Sequence, residues 1–194
     1  MRRLLLLAAV VAAPSALTAQ APTPTPDQQI ALAVLPLPEE FRADATVLGY
    51  NADGKLVTLR AGTGPMTCLA DDPKSASFHV ACYHKSMEPF MARGRALRAS
   101  GVTGDKVDTV RFREVRSGKL RMPKQAALWS ISGDSTVADV AAGTVGAGAR
   151  ALYVVYMPYA TPASTGLPAK PGRGSPWVMF PGTPKAHIMF IPVM

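Results

Sequence analysis

A chain of 194 residues, 48% of them apolar and 18% charged, has the length of one domain and can bury roughly 70% of its unfolded surface. Its ordinary apolar share and the lack of any short repeat exclude collagen-like, coiled-coil and wholly disordered classes. The formal net charge is +8 and it is unevenly spread. Between Arg93 and Lys124 lie ten basic residues, against only Asp105, Asp108 and Glu114.

The first segment reads as an address. Arg2 and Arg3 precede the apolar run Leu4 to Ala13, which is followed by Pro14 and small residues to Ala19. That is the pattern of a secretory signal peptide over residues 1–19, cleaved after Ala19. No later stretch approaches the roughly 20 apolar residues that a membrane-spanning helix needs, so no transmembrane anchor is expected, and the processed chain is placed in the periplasm or outside the cell. Residues 20–44 read as an N-terminal linker and a short helix. Pro22, Pro24 and Pro26 keep the linker extended, and a helix capped by Asp27 runs to Leu35, where Pro36 and Pro38 stop it.

From residue 45 to 194 the chain reads as a single α+β domain. Thr46–Tyr50 and Leu56–Arg60 flank Asp53-Gly54, which predicts a β-hairpin. Phe78 to Tyr83 alternates like a short strand. From Ser86 the apolar spacing becomes helical, with Phe90, Met91, Gly94 and Leu97 on one face and Gly101 placed to end the helix. A second helix is expected over Asp105–Arg116, closed by Ser117-Gly118. Ala127 to Ser132, Arg150 to Tyr159 and His187 to Ile191 read as strands, the middle one apolar enough to be central. The sum is an antiparallel sheet with one or two helices packed on a face. Gly133 to Ala149 has no useful periodicity. Ala160 to Pro184, with six Pro and four Gly, reads as a long loop before the last strand.

Few residues carry recognisable chemistry. Gly146-Ala-Gly148-Ala-Arg-Ala151 matches the dinucleotide fingerprint in letters only, since no strand precedes it and a strand follows it. The common hydrolase, zincin, dithiol redox and calcium motifs are absent, and no cofactor is assigned. Cys68 and Cys82, even in number and in an exported chain, predict a disulfide. If they were instead reduced, Cys82 with His84 or His187 would form a nucleophile-base pair. His79, His84 and His187 are the only histidines, and they define the alternative of a Zn or Cu site. On a regular strand His79 and His84 point to opposite faces, so sharing an ion requires a bend between them. Met189, with Met87, Met91, Met157 and Met179, would soften such a site toward Cu(I), although Met at these spacings commonly fills a core.

Tyr153, Tyr156, Tyr159, Trp177 and Phe180 suggest an apolar pocket mouth beside the proline-rich loop, with Tyr156, Tyr159, Trp177 and Phe180 as its candidate residues. Arg93, Arg95, Arg98, Arg111 and Arg113 are candidates for a continuous cationic face. Export favours anionic envelope components over nucleic acid as the partner, and the plainer alternative is a solvated surface. The runs Met66-Thr-Cys-Leu-Ala-Asp-Asp-Pro73, Cys82 to Arg95 and Pro176 to Met189 together resemble those of a group of small exported bacterial proteins of uncharacterised function. That resemblance implies no activity, substrate or site. The expected function is that of an exported, non-catalytic binding or envelope-associated domain, with the histidine metal site as its alternative.

Overall fold

Asn51 organises the first turn of the sheet. Its side-chain oxygen accepts from the backbone N–H groups of Asp53 and Lys55, and Gly54 takes a φ of 68° that a side chain would resist. The turn joins β1 (Thr46–Tyr50) to β2 (Leu56–Arg60), the hairpin expected from the sequence. The computed structural model describes residues 23–172 and 174–192; the expected leader lies outside them. Ahead of the hairpin come α1 (Pro26–Ala33) and α2 (Glu39–Arg42). Thr25, not Asp27, caps α1, sharing a capping box with Gln28 and placing Pro26 in the first turn.

After the hairpin follow β3 (Met66–Leu69), β4 (Ser77–His84), a 3-10 turn (Lys85–Met87), α3 (Glu88–Ala99) and α4 (Asp105–Arg116). The chain continues through β5 (Ala126–Asp134), β6 (Ala138–Asp139), β7 (Thr144–Val145), β8 (Arg150–Tyr156), α5 (Pro162–Thr165), β9 (Trp177–Met179) and β10 (His187–Phe190). Eight strands form one sheet in the order β2-β1-β3-β4-β5-β8-β10-β9, antiparallel except where β1 and β3 run parallel. The α+β class is therefore as expected. β3 and the parallel pairing were not legible as elements, and part of the expected proline-rich loop is the edge strand β9. The unassigned 133–149 stretch contains the end of β5 and the small β6/β7 hairpin.

Alternation along the strands divides the core into two layers. On one face Val47, Cys68, Cys82, Val80 and Ile131 meet α1 through Leu32, Ala33 and Val34. On the other, Tyr83, Val154 and Tyr156 pack against Phe90, Met91, Phe112 and Val115 from α3 and α4. Among the described residues no helix is long and apolar enough to cross a membrane.

Cys68 and Cys82 are direct partners in the β3/β4 register, their Cα atoms 3.9 Å apart, and they form a disulfide. Both are fully buried beneath α1, where Cys82 Sγ lies 3.1 Å from the Ala33 carbonyl. The sulfurs carry no thiol proton and cannot serve as the nucleophile of the reduced alternative. Closing this loop removes unfolded-state entropy worth roughly 3 kcal/mol. A Cys68→Ala/Cys82→Ala variant should lose about that much stability in urea titrations, and a variant as stable as the parent would assign the bridge no structural weight.

Candidate functional site

The β-sheet register separates the three histidines. His79 and His84 are five residues apart on β4, about 17 Å along the strand and on opposite faces. His187 pairs with Tyr156 on β8, and Tyr156 with Ala126 on β5, which puts His187 three strand spacings, about 14 Å, from β4. His84 is occupied locally, its Nδ1 accepting from the Ser86 backbone N–H. Among the described residues no three His, Cys, Asp or Glu side chains come together as a metal site. The expected His79, His84 and His187 grouping is thus not formed, because β4 runs straight between the first two.

The candidate aromatic pocket is only half assembled. Tyr156 and Phe180 flank the buried His187 ring, with centroids 5.0 and 5.7 Å away. Trp177, three residues before Phe180 at the start of β9, is buried opposite Met189. Tyr159 is exposed in the turn after β8, held by its backbone N–H to the Thr183 carbonyl. Tyr153 faces the opposite side of the sheet and is exposed across from Phe190. Phe180 takes a φ of 53°, rare for a side chain of that size, and its ring receives the Lys185 ammonium 4.5 Å from the centroid.

Lys185 leads from this aromatic group to a half-buried charge cluster between α4 and the β9–β10 turn. Its Nζ donates to Asp108 Oδ2 at 2.9 Å, while Arg111 donates to the other oxygen of the same carboxylate. Arg111 is 4% exposed. Its guanidinium lies 3.9 Å over the Phe90 ring, and it donates to the Phe90 carbonyl at 3.3 Å; its Nε has no partner among the described residues. Gly94 makes room for this arrangement, since a Cβ there would sit 2.9 Å from the Arg111 guanidinium nitrogen. Burial alone would raise the Asp108 pKa, but hydrogen bonds from Lys185 and Arg111 outweigh it and hold the carboxyl below the usual range. Tyr156, in the same layer, is pushed up to about 12 by burial. His187 is pushed down, chiefly by burial and further by the Lys185 charge, against a hydrogen bond to the Lys185 carbonyl.

These contacts correct the expected cationic face. Arg111 belongs to the interior. Arg93 makes a two-point contact with Glu114 at 2.8 and 2.6 Å, and Arg95 binds Glu88 and the Tyr83 hydroxyl. α3 and α4 lie side by side on the sheet, so their facing cations find carboxylates. Of the five named residues only Arg98 and Arg113 remain exposed. They are joined by five exposed cations not singled out in the sequence, Lys106, Arg116, Lys119, Arg121 and Lys124. The one exposed acid in the same stretch is Asp105. Lys106, Arg113 and Arg116 fall within roughly 80° around the α4 axis, so they share a stripe. Helical spacing could have revealed that stripe; the burial of Arg111 could not be read from it. No protein-family model, curated protein or solved structure matches the chain.

Two outcomes check this geometry. Asp108→Asn should cost about 3 kcal/mol in denaturant titrations, because it leaves a buried guanidinium uncompensated; a loss under about 0.5 kcal/mol would mean the cluster is solvated. His187 binds its proton less readily folded than unfolded, so stability should fall as pH drops below about 6.5, where the unfolded imidazole charges first. The titratable groups beside it are Lys185 and Tyr156, and behind them Asp108 pairs with Lys185 while Arg111 and Asp108 act on Tyr156. His187→Asn should flatten that slope, and an unchanged slope would remove His187 from its cause.

Proposed function

We propose that this protein is an exported, non-catalytic domain that associates with phosphate-bearing lipids of the cell envelope through the outer surface of α4 and the segment that follows it. The observation that carries the proposal is charge segregation. Seven exposed cations, Arg98, Lys106, Arg113, Arg116, Lys119, Arg121 and Lys124, face solvent with Asp105 as the only exposed acid among them. Export itself rests on the N-terminal pattern of residues 1–19, and the Cys68–Cys82 disulfide is compatible with an oxidising compartment.

The physical basis is additive and screened. Each basic residue near an anionic membrane contributes about 1 kcal/mol, and exposed charges are screened within about 10 Å at 0.1 M salt. Arg98 and Arg113 keep their expected role, whereas Arg93, Arg95 and Arg111 are committed to partners within the protein. Among the described residues none of the surviving cations forms an ion pair, although the charges of Arg113 and Lys119 reach Glu114, and a layer of anionic head groups supplies one continuous counter-surface.

Co-sedimentation with phosphatidylglycerol-containing vesicles tests the proposal. Binding at 50 mM NaCl should weaken at least tenfold at 300 mM, and neutral phosphatidylcholine vesicles should not bind. The Arg113→Gln/Arg116→Gln/Lys119→Gln variant should bind about a hundredfold more weakly. Absence of binding at low salt, or binding indifferent to salt, would overturn it.

A further inference from the structure

The face of the sheet opposite α4 contains a partly open cavity of about 90 Å³ between α1, the β3–β4 turn and the segment after β5. Its walls are largely apolar, formed by Leu32, Ala70, Pro73, Phe78, Ala138 and Val140. Among the described residues Asp71 is the single charged one that lines it.

The polar groups here are unequal in what they can still do. Gln29 is spent: its amide nitrogen donates to the Pro24 and Tyr50 carbonyls, and its oxygen accepts from the Tyr50 N–H, each at 2.8 Å. Asp71 Oδ1 accepts from the His79 backbone N–H at 2.8 Å, and the Asp72 backbone N–H also reaches the carboxylate. A carboxylate has about four lone-pair sites, so capacity remains on Asp71. Burial raises its pKa, the His79 bond lowers it, and neighbouring Asp72 acts both ways, its charge raising and its backbone N–H lowering it, with the net shift upward. No lysine or arginine is among the lining residues to neutralise it.

We propose that this cavity binds the ammonium end of a short primary alkylamine, with Asp71 as its counter-charge and the alkyl body against Leu32, Phe78 and Val140. A half-buried carboxylate in apolar walls favours a cation, and an ammonium brings three donors on a compact centre. An apolar cavity of about 150 Å³ accepts benzene. The smaller volume here selects a ligand of about five heavy atoms. The site is independent of the cationic surface, which lies across the sheet.

A nuclear magnetic resonance titration of the oxidised, ¹⁵N-labelled protein at pH 7 and fixed ionic strength tests the assignment, with n-butylamine as the probe and n-butanol and butyrate in parallel. n-Butylamine should shift the amides of Leu32, Ala70, Asp71 and Ala138 saturably, binding at least tenfold more tightly than n-butanol. Butyrate should not bind. Asp71→Asn should erase the preference for the amine. Because that change also touches the bond to His79, Ala138→Leu provides a second arm: it keeps the carboxylate, fills the cavity and should abolish binding of both amine and alcohol. Equal binding of amine and alcohol, no saturable shift, or undiminished binding to Ala138→Leu would overturn the proposal.

Discussion

One carboxylate, that of Asp108, holds two cations from distant parts of the chain. Arg111 lies one helical turn away on α4, and Lys185 lies 77 residues on, in the turn before the last strand. An arginine can be buried only with a partner, since an uncompensated charge in a low-dielectric interior costs several kcal/mol. Asp108 supplies that partner and ties the second helix to the far end of the sheet. Arg111 then sits over the Phe90 ring, which sets how α3 and α4 meet. Gly94 is the matching concession in α3, because any Cβ would occupy the guanidinium's place.

The orientation of α4 follows from that interaction, and the surface chemistry follows from the orientation. With Val107 and Arg111 turned inward, Lys106, Arg113 and Arg116 must turn outward. Arg93 and Arg95 lie where carboxylates from the same helical layer reach them, so their charge is neutralised within the protein. What remains outside is seven cations with Asp105 as the one exposed acid of the stretch. On the other side of the sheet the Cys68–Cys82 bridge fixes β3 to β4 beneath α1. That leaves the β3–β4 turn, with Asp71, as the rim of a separate small cavity.

Local signals made much of the fold legible. Asp53-Gly54 between two β-rich runs marked the hairpin, Gly101 and Gly118 marked helix ends with φ values of 86° and 76°, and two cysteines in an exported pattern marked the bridge. β3 was hidden because it is four residues long and its parallel partner β1 is not its sequence neighbour. Of the site, the charge excess between Arg93 and Lys124 was visible but its sorting was not. An arginine at position 111 looks the same whether it meets water or a carboxylate tethered to Lys185. The histidines show the converse: their scarcity suggested a common purpose, whereas the straightness of β4 and the strand order keep them apart.

Lysine footprinting tests the central claim, that the exposed cations of one layer form the contact surface, most directly. The protein would be acetylated at limiting reagent with and without phosphatidylglycerol vesicles at low salt, and each lysine read by mass spectrometry. Lys106, Lys119 and Lys124 should be protected by the vesicles, while Lys55, Lys74 and Lys170, exposed elsewhere, should react as they do in free protein. Equal protection of all six, or protection confined to Lys55, Lys74 and Lys170, would contradict the account.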